Sequence, residues 1–327
     1  MAHRLNIKDG KASMVYFGDK PWHSLGTELK KPATAAEVMV EANMDFIVEK
    51  RPVFFQPKKD KFAKVEGKFA NVRIDTNVAL GIVGSRYEVI QNADAFSFFD
   101  ALVGKGEAIY HTAGVLDEGQ RIWLLAKMPD YIKIKTISGK MDEVEKFVLL
   151  TSSHDGTHPT IAKLTPIRVV CHNTLSAAIS GHETEVRIRH TKTAIDKLEE
   201  AHRILNLTNM YYKDINQIFG NMSLKKINDK QLMDYITSLV PDNKEAEHHT
   251  RTENVRLKIK ELYETGQGAD MTRGSLWGAY NAVTEYVDHV KFVEKDGKSV
   301  KLDRIWFGQG EFLKQEAFDK ALVLMKN

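Results

Sequence analysis

The 327-residue chain is long enough to bury a substantial core and to divide into two domains. Its 28% charged and 43% hydrophobic residues are those of an ordinary globular protein, and a formal charge of +3 falls short of the basic excess by which composition alone marks nucleic-acid binding. One cysteine excludes an intrachain disulfide and points to a reducing compartment. With no secretory h-region and no apolar run of membrane-spanning length, the expected location is the cytoplasm.

After a polar N-terminal arm, Pro32 and Thr34 open a predicted helix on which Ala36, Val40 and Met44 share a face. The segment "DFIVEKRPVFFQP" alternates as a strand, with Pro52 marking an edge or a bend. Two strands around a turn at Asp75–Asn77 follow, then a second turn at Gly84-Ser85 and a short helix ended by Gly104. "EAIYHTAGVLDEGQRIWLLAKMP" reads as a hairpin with Asp117–Gly119 at its tip. "EKFVLLTSSHDG" and "THPTIAKLTPIRVVCHNTL" supply further strands, and a helix through "LSAAIS" is closed by Gly181.

From about Thr191 the period becomes helical, placing Leu198, Ala201, Leu205, Tyr212, Ile215 and Phe219 near one face. Two shorter helices follow, the first stopped by Pro241, and "GQGADMTRGS" reads as a flexible loop. Leu276, Tyr280, Val283 and Val287 are in register on another amphipathic helix, Asp296-Gly297 makes a tight turn, and "EAFDKALVLMKN" is a last helix. This order of elements predicts an α+β fold, with an antiparallel, sheet-rich core domain and closing helices over residues 1–190 and a mainly helical domain over 191–327.

The lone Cys171 stands beside His172 in "TPIRVVCHNT", but neighbours on a strand point to opposite faces, so His172 does not reach the sulfur. The apolar run Ile167, Val169, Val170 makes Cys171 a small buried hydrophobe. His154 and His158 are four apart, yet Asp155-Gly156 and Pro159 favour a hairpin turn with a histidine at each end over a helical metal site. No CxxC, HExxH, calcium loop, phosphate-binding loop or dinucleotide fingerprint is present, so no metal, cofactor or catalytic residue is assigned. A rival enzyme reading requires His154, Asp155, His158, Arg168 and His172 to converge in one pocket.

Basic and aromatic residues remain, in positions that suit a nucleic-acid surface. In "EVRIRHTK", Arg187 and Arg189 project from one face of a strand, continued by His190 and Lys192, and could follow a phosphate backbone together with Arg168. Tyr211 and Tyr212 could serve as stacking platforms, with Lys213, Lys225 and Lys226 nearby in sequence.

Several phrases are specific in combination: "PWHSLG", "VRIDTNVALGIVGSRYEVIQN", "TAGVLDEGQRIWLLAKMP", "SSHDGTHPTIAKLTPIRVVCHNTL", "RIRHT" and "WGAYNAVTEYVDH". In these the chain resembles the phage/plasmid-like protein family, a family of unknown function carried on bacteriophage, prophage and plasmid DNA. The resemblance implies a protein of a bacterial host's cytoplasm, encoded by mobile DNA. The expected strand-rich core closed by a helix is in turn similar to that of single-strand annealing recombinases. That likeness implies a non-enzymatic homo-oligomer, ring or filament, that holds single-stranded DNA by its backbone and leaves the bases free to pair.

Overall fold

The computed structural model describes residues 5–8, 10–18, 25–103, 108–168, 170, 175, 185–194, 208–242, 249–292 and 302–326. Four short strands come first: β1 (Ile7–Lys8), β2 (Lys11–Ala12), β3 (Met14–Phe17) and β4 (Thr27–Leu29), followed by helix α1 (Ala35–Glu41). Strands β5 (Val48–Lys58), β6 (Lys61–Arg73) and β7 (Val78–Gly84) form a three-stranded antiparallel sheet in the order β5-β6-β7. After α2 (Asn92–Val103) come β8 (Ile109–Leu116), β9 (Arg121–Lys135), β10 (Met141–Ser153), β11 (Thr160–Arg168) and β12 (Glu185–Ile188). These five join the N-terminal strands in a seven-stranded sheet ordered β12-β11-β10-β9-β8-β3-β4. The fold is α+β, with antiparallel pairing broken at β3 and β4, which run parallel.

Local chemistry accounts for the boundaries. Thr34 caps α1 by accepting from the Glu37 amide, while the Glu37 carboxylate accepts from the Thr34 amide at 2.8 Å, a reciprocal capping box. The buried face of α1 is Ala35 and Val38; of the expected Ala36, Val40 and Met44, the first two face solvent, with Val40 60% exposed, and Met44 is buried beyond the helix end at Glu41. Asn77, Asp117 and Gly119 take positive φ in the β6–β7 and β8–β9 turns, where side chains that tolerate the left-handed region are needed. Pro52 lies on the edge strand β5, beside a register shift between Pro52 and Phe54, where no ladder donor is required of it.

The helices that follow are α3 (Thr208–Leu224), α4 (Asp229–Leu239), α5 (His249–Thr265), α6 (Ala269–Thr272) and α7 (Leu276–Tyr286). A π-helical turn (Val287–Lys291) extends α7, and α8 (Leu302–Phe307) and α9 (Gln309–Lys326) complete the described chain. The segment "GQGADMTRGS", expected as a loop, contains α6, entered through Gly268 at φ 74. The expected helix through "LSAAIS", Gly104, Gly181, the 198–205 portion of the long helical stripe and the Asp296-Gly297 turn lie outside the described residues.

The chain forms two compact units that are not cut at 190/191. One comprises Met1–Pro129, Phe147–Leu164 and Glu183–Leu207, the other Asp130–Lys146, Thr165–His182 and Thr208–Asn327. The core of the first includes Val38, Phe96, Tyr110, Trp123 and Phe147, all buried. In the second, Phe219, Trp277, Tyr280 and Phe318 form an aromatic cluster with ring centroids 4.6 to 6.5 Å apart. Every residue of α7 is buried, so its expected one-sided stripe (Leu276, Tyr280, Val283, Val287) is part of a helix enclosed on all sides.

Candidate nucleic-acid interface

Strand β12 pairs with β11 through Glu185–Ile188, which sets the alternation at this edge. Ile188 and His190 turn inward, while Arg187, Arg189 and Lys192 are exposed. The Arg187 Nε donates to Glu185 Oε1 at 2.6 Å, an exposed pair that adds little stability. His190 is not the surface contact its place in "RIRHTK" implied. Its ring stacks on Tyr87 at 4.7 Å, its carbonyl accepts from the Glu88 amide, and its Nε2 lies 3.3 Å from Thr160 Oγ1.

Arg168, Tyr211 and Tyr212 belong to the second unit and are buried there. The Arg168 side chain is 1% exposed and donates from Nε to Asp142 Oδ2 at 2.8 Å and from Nη1 to the Gln267 carbonyl at 3.1 Å. The same Asp142 oxygen accepts from Trp277 Nε1 at 2.8 Å. A surface arginine reading fails because this guanidinium is consumed by a buried carboxylate and by the backbone that enters α6. Tyr211 and Tyr212 pack edge to face with centroids 5.0 Å apart, beneath the surface that a base would stack upon.

The histidine reading fares differently. Asp155-Gly156 forms the β10–β11 turn, with Gly156 at φ 77. The Asp155 Oδ1 accepts from Ser153 Oγ, from the Thr157 amide at 2.8 Å and from Thr157 Oγ1. Burial alone would raise the Asp155 pKa, but these bonds and Arg121 outweigh it and hold the carboxyl below its ordinary value. His154, at one end, is buried. Asn92 donates through Nδ2 to the Met44 carbonyl, so its Oδ1 must accept from His154 Nε2 at 2.8 Å, which fixes the Nε2–H tautomer.

Burial, then the charge of His190, depresses the His154 pKa to about 3, and burial depresses His190 to about 4. Both rings are neutral near pH 7, and bases so weak are poor proton acceptors there. His158, at the other end of the turn, is partly exposed, its Nδ1 2.7 Å from Thr157 Oγ1. His154 and Asp155 therefore share a stapled turn rather than an open pocket, and Arg168 belongs to the other unit. His172 and Cys171 lie outside the described residues. Among the described residues, no group of three or more His, Cys, Asp or Glu side chains could hold a metal ion. Nor is any helix among them long and apolar enough to cross a membrane.

The surface feature not anticipated from the sequence is the β5–β6 hairpin. Its strands close at a Lys59-Asp60 turn, with Asp60 at φ 63 and Lys58 opposite Lys61. Phe54 faces Lys64 across the pair and Phe55 faces Ala63, so Phe54, Phe62 and Lys64 share one face by the two-residue period. Phe62 is 74% exposed, and Phe54 and Phe55 are more than half exposed. Five lysines (Lys58, Lys59, Lys61, Lys64 and Lys68) stand against two acids, Asp60 and Glu66, in this stretch. Lys64 lies 3.7 Å from Glu66, an exposed and weak pair. The readable signal was "PKKDKFAKVEGKF", lysines interleaved with phenylalanines around a turn dipeptide.

At its base the hairpin is rigidly held. Asn71 of β6 donates to the His154 carbonyl at 2.7 Å, and Arg73 forks onto Asp75 at 2.7 and 3.0 Å while stacking over Phe46. On β5, Lys50 Nζ donates to the Ser85 and Tyr87 carbonyls at 2.9 and 2.6 Å. The histidine cluster thus ties the β10–β11 turn to the three-stranded sheet, leaving the Phe54–Lys64 end of the hairpin to solvent.

A family model described as Domain of unknown function (DUF932) matches residues 79–306, more than half of the chain, and the chain belongs to that family. The match opens within β7, so the β5–β6 hairpin precedes it. No curated protein and no solved structure matches the chain.

Proposed function

We propose that this member of a family of unknown function is a single-stranded DNA-binding protein of phage or plasmid origin, which self-associates and anneals complementary strands during recombination without catalytic chemistry. The observation that carries the reading is the hairpin: three exposed phenylalanines among lysines, on a base that does not need them for packing. Single-strand binders combine these two elements, because lysines neutralise phosphates and every base offers a face to an aromatic ring. Phe54 and Phe62 are diagonal neighbours on one face, about 7–8 Å apart, a spacing that admits a stacked base on each ring. Arg187, Arg189 and Lys192, exposed at the β12 edge, supply further phosphate contacts. The annealing step rests on the likeness of the expected strand-rich core to that of single-strand annealing recombinases, an analogy of fold.

The test is binding of the full chain to a labelled oligonucleotide across a salt series, with duplex of the same sequence in parallel. Single-strand preference and a steep fall with salt are expected. Lys61→Gln with Lys64→Gln reduces the log–log salt slope by about 1.4, at roughly 0.7 per phosphate contact on a single strand. Arg187→Ala with Arg189→Ala reduces it similarly. Absence of binding at low salt would refute the proposal, and unchanged slopes would refute these contacts.

A further inference from the structure

The second unit carries a cleft of about 520 Å³ where the end of α4, the first turns of α5, the π turn after α7 and α9 come together. Its apolar wall includes Leu239, Val255 and Leu313. Its polar groups are Arg251, Thr252, Tyr286 and Lys291. The volume lies within the range of about 300–1,000 Å³ typical of small-molecule sites, which pair an apolar lining with a few convergent polar groups.

Among the described residues, the charge of this cleft is unbalanced. Arg251 and Lys291 have no carboxylate at ion-pair distance among the described residues, and the described acids that flank them in sequence are engaged elsewhere. Asp242 and Glu253 pair with Arg256 at 2.9 and 3.6 Å, and Asp288 pairs with the buried Lys314 at 2.9 Å. Burial, and next the charge of Arg251, lower the Lys291 pKa, so the two cations repel one another across the cleft. Burial raises the Tyr286 pKa despite the opposing pull of Arg251, which leaves the phenol a proton donor. Arg251 and Thr252 also stand in the first turn of α5, where amide N–H groups lack helical acceptors.

Backbone geometry provides the second, independent sign. In an α-helix, Tyr286 and Lys291 would be about 140° apart around the axis, at 100° per residue. The π turn over Val287–Lys291, with bonding from residue i to i+5, returns Lys291 to the Tyr286 side and turns Asp288 inward to Lys314. Such turns are uncommon and concentrate at functional sites. Here the turn is what brings both groups to one cleft.

We propose that this cleft binds a small phosphomonoester with an apolar or aromatic body. Two cations match a dianion better than the single charge of a carboxylate, and the hydroxyls of Thr252 and Tyr286 supply further donors to its oxygens. The phosphate fills only part of the volume, which leaves the Leu239, Val255 and Leu313 wall for the organic group. The site belongs to a different unit from the β5–β6 hairpin and does not depend on the DNA-binding reading.

The experiment is titration calorimetry of the full chain, in a buffer free of phosphate, with phenyl phosphate, inorganic phosphate and benzoate as separate probes. Phenyl phosphate should bind at least about tenfold more tightly than either fragment, a step of about 1.4 kcal/mol. Arg251→Gln and Lys291→Gln should each weaken it by about tenfold or more. Neither side chain has an ion-pair partner among the described residues, so the melting temperature should move little, whereas Lys61→Gln with Lys64→Gln on the hairpin should leave the titration unchanged. No heat from phenyl phosphate at millimolar concentration overturns the proposal. So does binding that survives both cleft variants, or benzoate binding as tightly as phenyl phosphate.

Discussion

Arg168→Met separates a structural arginine from a ligand-binding one. The wild-type guanidinium is 1% exposed, the Asp142 carboxylate it meets is 0% exposed, and Trp277 Nε1 shares the same oxygen. Methionine keeps much of the side-chain volume but removes the positive charge, leaving Asp142 buried with the Trp277 indole as its remaining donor among the described residues. Breaking one half of a buried pair costs about 3–5 kcal/mol, because the surviving charge has lost its compensation. The Gln267 carbonyl loses its arginine donor as well, while that of Gly268 keeps the Met271 amide and the Thr272 hydroxyl, and the entry to α6 should loosen at Gln267. At roughly 2–4 °C per kcal/mol for a unit of this size, the melting temperature should fall by about 10 °C. Urea unfolding followed by tryptophan fluorescence reports the loss directly, since Trp277 sits at the site. Below the new transition, the salt slope of single-strand binding should match that of the wild type. A variant that melts as the wild type does but has lost DNA affinity would show that Arg168 serves a ligand and that the buried pair contributes little.

Other outcomes follow from the same geometry. Phe62→Ala should weaken single-strand binding by about 1–3 kcal/mol, the cost of one lost stacking partner, with no change in salt slope. Because Phe62 is 74% exposed, its stability should change by less than about 0.5 kcal/mol, and a large fall in melting temperature would show that the ring packs against something. His154 and His190 have folded pKa values of about 3 and about 4, below the unfolded 6.5, so between these limits the unfolded chain binds more protons. The stability that they contribute is present above pH 6.5 and is lost as pH falls toward 4 and then 3, at up to about 1.4 kcal/mol per pH unit for each ring. His154→Gln with His190→Gln should flatten this part of the stability–pH curve, measured by urea unfolding at several pH values; an unchanged curve would refute the assignment. Gly81→Ala places a methyl group 2.6 Å from the Asp155 Cα, against backbone that cannot swing aside. It should cost about 1–3 kcal/mol and separate β7 from the β10–β11 turn, seen as faster amide exchange at Thr157.

The sequence by itself determined the local structure of the chain. Alternation of period two located strands from β5 onward but not β1–β4 in the polar N-terminal arm, and Asp75–Asn77, Asp117–Gly119 and Asp155-Gly156 marked turns because few residues accept the left-handed backbone that such turns require. The change of period near residue 191 marked the helical half, and these signals together gave the α+β class. Tertiary structure decided which side chains face solvent, since exposure depends on partners far away in the chain. Arg168 reads as a surface cation until Asp142, 26 residues earlier, and Trp277, more than 100 residues later, take its charge inside. His190 is drawn in by Tyr87 and Thr160, and Tyr211 and Tyr212 by the core of the second unit. Phe54, Phe55 and Phe62 would pass for core residues on hydrophobicity alone. Their exposure exists because nothing else in the described fold covers the tip of the β5–β6 hairpin, and no local pattern encodes where the rest of the chain is absent.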